Sequence, residues 1–374
     1  MTGRRRILVN LAWIVPGGVG GSEEYAVRLL RAVASHPPDD LTVELAGPAA
    51  LWDAHPELAD AFAIHSFVGP VAHRPYRVAV ESTWLPWVAR HHDVVHHLGG
   101  RVPALAGTPA VVTIHDLQPL DLPENFSAVK RRYLAAVLPR SARRASVICT
   151  PSAWVAAGVV ERFGVDAARV HVVSSTWDPD PICGGGDPTG VVAGLGDGPV
   201  VLYPAVTHPH KRHLTLIRAV DRLAERHPDL RLVLTGGAGR AESDVARAVA
   251  DAPSGRILRP GRVDADTLRS LLVRADVLAF PSEYEGFGLP VLEAMRAGTP
   301  VVVTDAAALP EVAGGAAELV RPGSVTAWSD ALGTVLDDSA RRDELVARGR
   351  VRAAHYAPDR SAAALLGAWR AAGE

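Results

Sequence analysis

Pro281-Ser-Glu-Tyr-Glu-Gly-Phe-Gly-Leu-Pro-Val-Leu-Glu-Ala-Met-Arg-Ala-Gly-Thr-Pro300 reads as a loop, a helix and a helix stop in succession. The apolar residues before it, Val277–Phe280, read as a buried strand, and Val301–Val303 after it as the next. Pro290 suits the first helical turn, where its fixed φ is already helical and its missing N–H costs nothing. Gly298 is placed to end the helix before the second strand. Strand, glycine turn, helix and strand in that order build a parallel sheet. Gly286 and Gly288 let the backbone approach a ligand closely. The helix start behind them, with its amides and its dipole, is an anion site. Glu285 and Glu293 flank the turn, one before the glycines and one in the first helical turn. A diphosphate would sit at the amides, and the carboxylates would accept hydrogen bonds from sugar hydroxyls. Taken singly, each glutamate also has a plainer reading, Glu293 as a complement to the dipole and Glu285 as a solvated loop residue.

The same alternation extends through the rest of the chain. Val200–Tyr203, Arg231–Thr235 and Ile257–Leu258 read as strands, with helices at Leu214–Glu225, Glu242–Ala250 and Ala265–Arg274. In the first half, Ile7–Leu11, Leu41–Leu45, Val94–Leu98, Ala110–Ile114, Val147–Cys149 and Val170–Val173 read as strands. Glu23–Ala34 and Ser127–Arg144 read as helices between them. Strands apolar on both faces need cover on both faces, as in α/β proteins. Trp177-Asp-Pro-Asp-Pro-Ile-Cys-Gly-Gly-Gly-Asp-Pro-Thr-Gly190 divides the halves and has the Pro and Gly density of a connector. The expected fold is α/β, two Rossmann-like parallel-sheet domains at residues 1–178 and 190–355 facing a central cleft. A last helix candidate covers 356–374.

With 374 residues the chain suits two or three domains of ordinary size. Lys and Arg total 39 against 41 Asp and Glu, so no global field draws it to nucleic acid. The two cysteines, Cys149 and Cys183, are far apart and lack metal-type spacing, which suits a reducing compartment. Pro16-Gly17-Gly18 breaks the first apolar run too early for a signal peptide. A cytoplasmic location is expected. Lys130, Arg131, Arg132, Arg140, Arg143 and Arg144 form a basic stretch that Pro139 interrupts. It reads first as a solvated face and second as a peripheral contact with anionic headgroups at the inner membrane face.

As a string, Glu285, Gly286, Phe287, Gly288, Leu289, Pro290, Glu293 and Ala294 resemble the signature of the retaining glycosyltransferases of family 4 (glycosyltransferase group 1, GT-B fold). There, two Glu separated by seven residues enclose Gly-Phe-Gly-Leu-Pro. Tyr203-Pro-Ala-Val-Thr-His-Pro-His-Lys-Arg-His213, with Leu216, Ile217 and Ala219, is similar to the family loop that carries a diphosphate-binding Lys, and Lys211 takes that position. The family's nearby Arg is replaced by Val206 or His210, and Arg212 could supply the second cation. Leu309-Pro-Glu-Val312 and Gly314-Gly-Ala-Ala-Glu-Leu-Val320 also follow the pattern.

In the first half, Pro16-Gly-Gly-Val-Gly-Gly-Ser-Glu-Glu24 is not the dinucleotide fingerprint, and a glycine-rich turn alone is as often a tight connection. In the family this loop faces donor phosphates or acceptor, with Gly20 and Gly21 as the equivalents. Val111-Val-Thr-Ile-His-Asp-Leu117 puts His115 and Asp116 at a strand's carboxyl end, where α/β sheets bind ligands. It resembles the family's His-Asp pair, whose His contacts the donor's sugar ring. His96 and His97 also end a strand and read as structural or acceptor-side.

The resemblance implies transfer of a hexosyl group, mannosyl among the options, from a nucleotide diphosphate sugar to a hydroxyl on a glycan, lipid or natural-product precursor. It also implies retention of anomeric configuration, a setting in cell-envelope or polysaccharide synthesis, and a tail helix crossing back onto the first domain. Lys211 and the Gly286–Leu289 amides would stabilise the leaving diphosphate. Glu293 would hold the ribose, Glu285 the transferred sugar and His115 a sugar hydroxyl. His115, Lys211 and Glu285 are thus the catalytic candidates. Gly20, Gly21, Arg212, Gly286, Phe287, Gly288, Leu289 and Glu293 are the binding candidates. No metal and no cofactor beyond the sugar nucleotide are expected. A nucleotide-sugar epimerase or hydrolase, or a silent sugar-nucleotide-binding subunit, are the rival readings.

Overall fold

A computed structural model describes residues 4–18, 20–104, 107–178, 189–253 and 255–373. Residues 179–188, most of the expected connector, lie outside them. The chain divides into two compact units, Met1–Asp178 with Tyr356–Glu374, and Pro179–His355.

The first unit holds a seven-stranded sheet among the described residues. Its strands are β1 (Arg5–Asn10), β2 (Leu41–Pro48), β3 (Ala63–Phe67), β4 (Val94–His97), β5 (Ala110–Thr113), β6 (Val147–Thr150) and β7 (Val170–Val172). They lie in the order β3-β2-β1-β4-β5-β6-β7, every neighbouring pair parallel. The second unit holds β8 (Val200–Pro204), β9 (Arg231–Thr235), β10 (Ile257–Gly261), β11 (Val277–Phe280), β12 (Val301–Thr304) and β13 (Glu318–Val320). Their order is β10-β9-β8-β11-β12-β13, again parallel. Both are doubly wound, Rossmann-like sheets. The strand order reverses between β1 and β4 in one and between β8 and β11 in the other. Such reversal points open a crevice at the carboxyl ends of the strands.

Central strands are legible because they are apolar throughout: β4, β5, β6, β11 and β12 are buried at every residue. The edge strand β3 is absent from the sequence reading, since Ala-Ile-His-Ser-Phe buries only its last residue and shows no continuous apolar run. One expectation needs correction. The helix Ala128–Arg144 runs through Pro139 instead of breaking there, and Ser127 caps its start by accepting from the Lys130 amide. Pro139 forfeits one bond to the turn before it, and the residues on either side stay helical.

The tail helix Pro358–Ala371 belongs to the first unit. Leu365, Leu366, Ala368 and Trp369 join one apolar core with Ile7, Leu29, Leu30, Val33 and Cys149. Polar contacts set its register. Thr176 Oγ1 donates to the Tyr356 carbonyl at 2.7 Å, Trp369 Nε1 to His96 Nδ1 at 3.0 Å, and Arg370 pairs with Asp40 at 2.7 Å.

Candidate functional site

In the second unit, two loops leave the sheet at its reversal point. The loop after β8 ends in a single 3-10 turn, Pro209–Lys211, and the loop after β11 carries residues 281–288. They are tied together, since the Glu283 amide donates to the His210 carbonyl at 2.9 Å. The buried Tyr203 hydroxyl fixes the first loop by donating to the Lys211 carbonyl at 2.7 Å. Lys211 Nζ consequently meets Glu285 in a direct ion pair, with side chains only 17% and 14% exposed, and sits over the Phe280 ring. Arg212 takes a left-handed backbone, φ 51°, and pairs instead with Glu283. Lys211 and Arg212 thus face different glutamates.

The helix that follows spans Leu289–Ala297, with Pro290 in its first turn. Gly288 precedes it at φ 98°, where a Cβ would come within 2.7 Å of Leu309 Cδ2, so the position requires glycine on two counts. Gly298 ends the helix at φ 80°, donating to the Ala294 and Met295 carbonyls. The expected position of Glu293 needs correction. The left-handed Gly288 delays the helix to Leu289, so Glu293 is its fifth residue and the first turn holds no acid. A dipole complement is therefore a poor account of Glu293, because that effect fades beyond the first turn. Phe287 is buried, and Glu285, Gly286, Leu289 and Glu293 are half-buried.

In the first unit, the glycine loop follows β1 and opens onto the helix Gly21–Ser35. Gly20 has φ 65° and ψ −132°, a conformation suited to glycine, whereas Gly21 carries no such constraint. Glu23, unmarked in the sequence reading, is buried and accepts from the Gly17 amide at 2.9 Å, folding the loop back on its own helix. An acid in a first helical turn was the available signal. His115 follows β5. Its Nε2 lies 2.8 Å from the Leu98 carbonyl, which can only accept, so Nε2 carries the proton. Burial pushes its pKa down to about 4, outweighing the Leu98 bond, so the ring is neutral near pH 7. Tyr25 packs against it edge-on. Asp116 accepts from the Gln118 amide at 3.0 Å and so has a local turn to hold. His96 is wholly buried between Thr113 and Trp369 and is structural. His97 is buried beside Asn10, 3.2 Å from Nδ1 to the amide nitrogen.

The model of glycosyl transferases group 1 matches residues 193–352, and that of glycosyltransferase family 4 matches residues 19–180. An O-antigen chain mannosyltransferase B of Escherichia coli is 31% identical over 261 residues, covering 66% of each chain. A D-inositol 3-phosphate glycosyltransferase of Xylanimonas cellulosilytica is 31% identical over 306 residues, 74% of this chain and 71% of that one. The chain therefore spans about two thirds of the length of these curated relatives. Among solved structures, Anabaena HepE in complex with UDP and glucose superposes with a TM-score of 0.75 at 20% identity, covering 98% of this chain and 100% of that one. The fold is that of the GT-B glycosyltransferases. The chain belongs to the family of group 1 glycosyltransferases.

Proposed function

We propose that this chain transfers a hexosyl group from a nucleoside diphosphate sugar to a hydroxyl acceptor, with retention of configuration and without a metal. One observation carries the reading. Lys211 and Glu285 are brought together at the reversal point of the second sheet, immediately before a glycine-capped helix start. Charge builds on the diphosphate as the sugar leaves, so a fixed ammonium and a helix N-terminus aimed at it lower the barrier. Glu285 would then exchange its partner Lys211 for the sugar's hydroxyls, and Glu293 would hold the ribose.

The first unit is assigned to the acceptor, a glycan or lipid-linked hydroxyl. His115 donates its one proton to Leu98, so it would meet a sugar hydroxyl through Nδ1, as an acceptor. The UDP and glucose bound by HepE support a diphosphate donor, and the mannosyl transfer of the E. coli relative is the reason to test a mannosyl donor as well. The cations of the helix Ala128–Arg144 are exposed, which fits a solvated face and leaves a headgroup contact open to a lipid-linked acceptor.

The test is product analysis with UDP-glucose and GDP-mannose over a panel of glycan and lipid-linked hydroxyl acceptors. Transfer with the donor's anomeric configuration kept in the product supports the reading. Inversion, free sugar alone, isomerised donor or no turnover of any donor overturns it.

A further inference from the structure

Away from these residues, three segments of the first unit converge on one point. Glu44 lies in β2 and His65 in β3. Their strands pair Glu44 with Ala63 and Ala46 with His65, so strand alternation puts both side chains on the same face. The helix Arg74–Ala89 covers that face through Leu85, Val88 and Ala89, which pack on Ala46. His92 follows this helix and completes the group. The candidate ligand atoms of the three residues all lie within 4.8 Å of one another. Glu44 Oε2 is 2.7 Å from His65 Nε2 and 3.3 Å from His92 Nε2. The other carboxylate oxygen accepts from Arg6 Nε at 3.2 Å and Nη2 at 2.7 Å, which fixes the plane of the carboxylate.

His92 is the informative member. Its side chain is 1% exposed. Nδ1 lies 3.2 Å from the Val88 carbonyl, a pure acceptor, so Nδ1 carries the proton. In the neutral ring Nε2 then presents a lone pair toward Glu44 Oε2, and the pair makes no hydrogen bond despite its short separation. A lone pair facing a carboxylate in a buried site repels it. A cation between the two atoms resolves the conflict.

We propose that Glu44, His65 and His92 bind a divalent first-row transition metal, zinc foremost, through Oε2 and the two Nε2 atoms. Two tetrahedral bonds of about 2.0–2.1 Å separate their ligand atoms by roughly 3.3 Å, the spacing His92 already has. His65, whose Nε2–H donates to Glu44 Oε2, must carry its proton on Nδ1 instead and retreat by about half an ångström to match. It is the member free to do so, with 35% of its side chain exposed on an edge strand. That flank also leaves the fourth position to water. The Val88 carbonyl on His92 and Arg6 on Glu44 are the outer partners such sites use to orient their ligands. His92 precedes β4, at the opposite end of the sheet from His115, which follows β5. The ion would therefore fasten the edge strand to the sheet and take no part in sugar transfer.

The full-length protein, stripped by a chelator and titrated with ZnCl2 in a calorimeter, should take up one equivalent with micromolar or tighter affinity. His65→Ala should weaken uptake by more than about tenfold, the smallest loss expected even for an outer-shell partner. Zinc should raise the Tm of the wild type and leave that of His65→Ala unchanged. CoCl2 added to the wild type should give visible bands stronger than those of aqueous cobalt. No stoichiometric zinc uptake, uptake indifferent to His65→Ala, or a cobalt spectrum equal to that of the free ion would overturn the site.

Discussion

Lys211 and Glu285 neutralise each other in a half-buried setting, and that has a kinetic consequence. Removing either partner leaves the other's charge where water only partly reaches it, so single substitutions report more than one lost contact. Lys211→Ala should lower kcat at saturating donor by about two to three orders of magnitude, as for other lost charge-stabilising donors. The double variant with Glu285→Ala should cost less than the sum of the singles. Glu293→Ala should instead raise the donor KM more than it lowers kcat, because ribose is remote from the reacting carbon. Steady-state kinetics on these variants and on Arg212→Ala decides. If Arg212→Ala proves worse than Lys211→Ala, the diphosphate cation is the wrong residue.

The buried histidines make a separate residue-scale prediction. Burial pushes His96 and His97 down to about 3, with His97 and His115 adding to the effect on His96 and Arg101 on His97. His115 is held near 4. A folded pKa below the unfolded one, about 6.5 for histidine, gives stability that is complete above that value. It drains as the pH falls below that value, since the unfolded chain takes up protons that the fold refuses. Carboxylates begin to titrate only lower, near pH 4–5, so the window from about pH 6.5 to 5 belongs to histidine. The urea midpoint should fall between about pH 7.5 and 5, and His97→Gln should flatten that slope. A midpoint constant across the range would refute the assignment.

At the scale of elements, glycines separate backbone demand from mere space. Gly288 combines φ 98° with a Cβ position 2.7 Å from Leu309, whereas Gly21 has neither a positive φ nor a described atom within 4 Å of its would-be Cβ. Gly288→Ala should cost about 1–3 kcal/mol of stability and weaken nucleotide binding through the misplaced helix start. Gly21→Ala should be near neutral in urea unfolding and mildly favourable to its helix. Equal costs would show that the β11 loop relaxes without strain. Elements were legible in proportion to how locally they are determined. Val277–Phe280 and Ala265–Arg274 announce themselves by apolar run or helical period and match the structure end to end. The edge strand β3 is held by pairing with β2 and carries no pattern of its own. Glu293's depth in its helix depends on where Gly288 lets the helix begin. Glu44, His65 and His92 are spread over 49 positions on two strands and a loop, so no spacing rule finds them, unlike the contiguous Glu285–Glu293 signature.

At the scale of the whole molecule, the chain leaves its first unit after Asp178 and returns to it from Tyr356. Periodicity marked the tail as a helix. Only the family resemblance supplied a docking partner, because an amphipathic face does not say which core it completes. Its core contribution is one-sided, since Leu365, Leu366 and Trp369 pack with residues of the first unit. Trp369 is wholly buried, and truncating one such side chain to alanine costs about 3–5 kcal/mol. Ending the chain at His355 also orphans His96 Nδ1 and opens the cluster of Ile7, Leu29 and Val33 to water. That loss is comparable to the entire stability of many domains, roughly 5–15 kcal/mol. The truncated protein should therefore lose cooperative unfolding of the first unit, read from amide exchange at β1, β4 and β5, and should lose transfer activity. The second unit contains Lys211, Glu285 and Glu293, whereas the tail's Leu365, Leu366 and Trp369 belong to the core of the first unit. It should still bind UDP or GDP in a calorimeter within about fivefold of the intact chain, a difference near 1 kcal/mol. Parallel loss of nucleotide affinity would mean that the donor site depends on the first unit. Unchanged exchange at β1 would mean that the tail is dispensable to the core it covers.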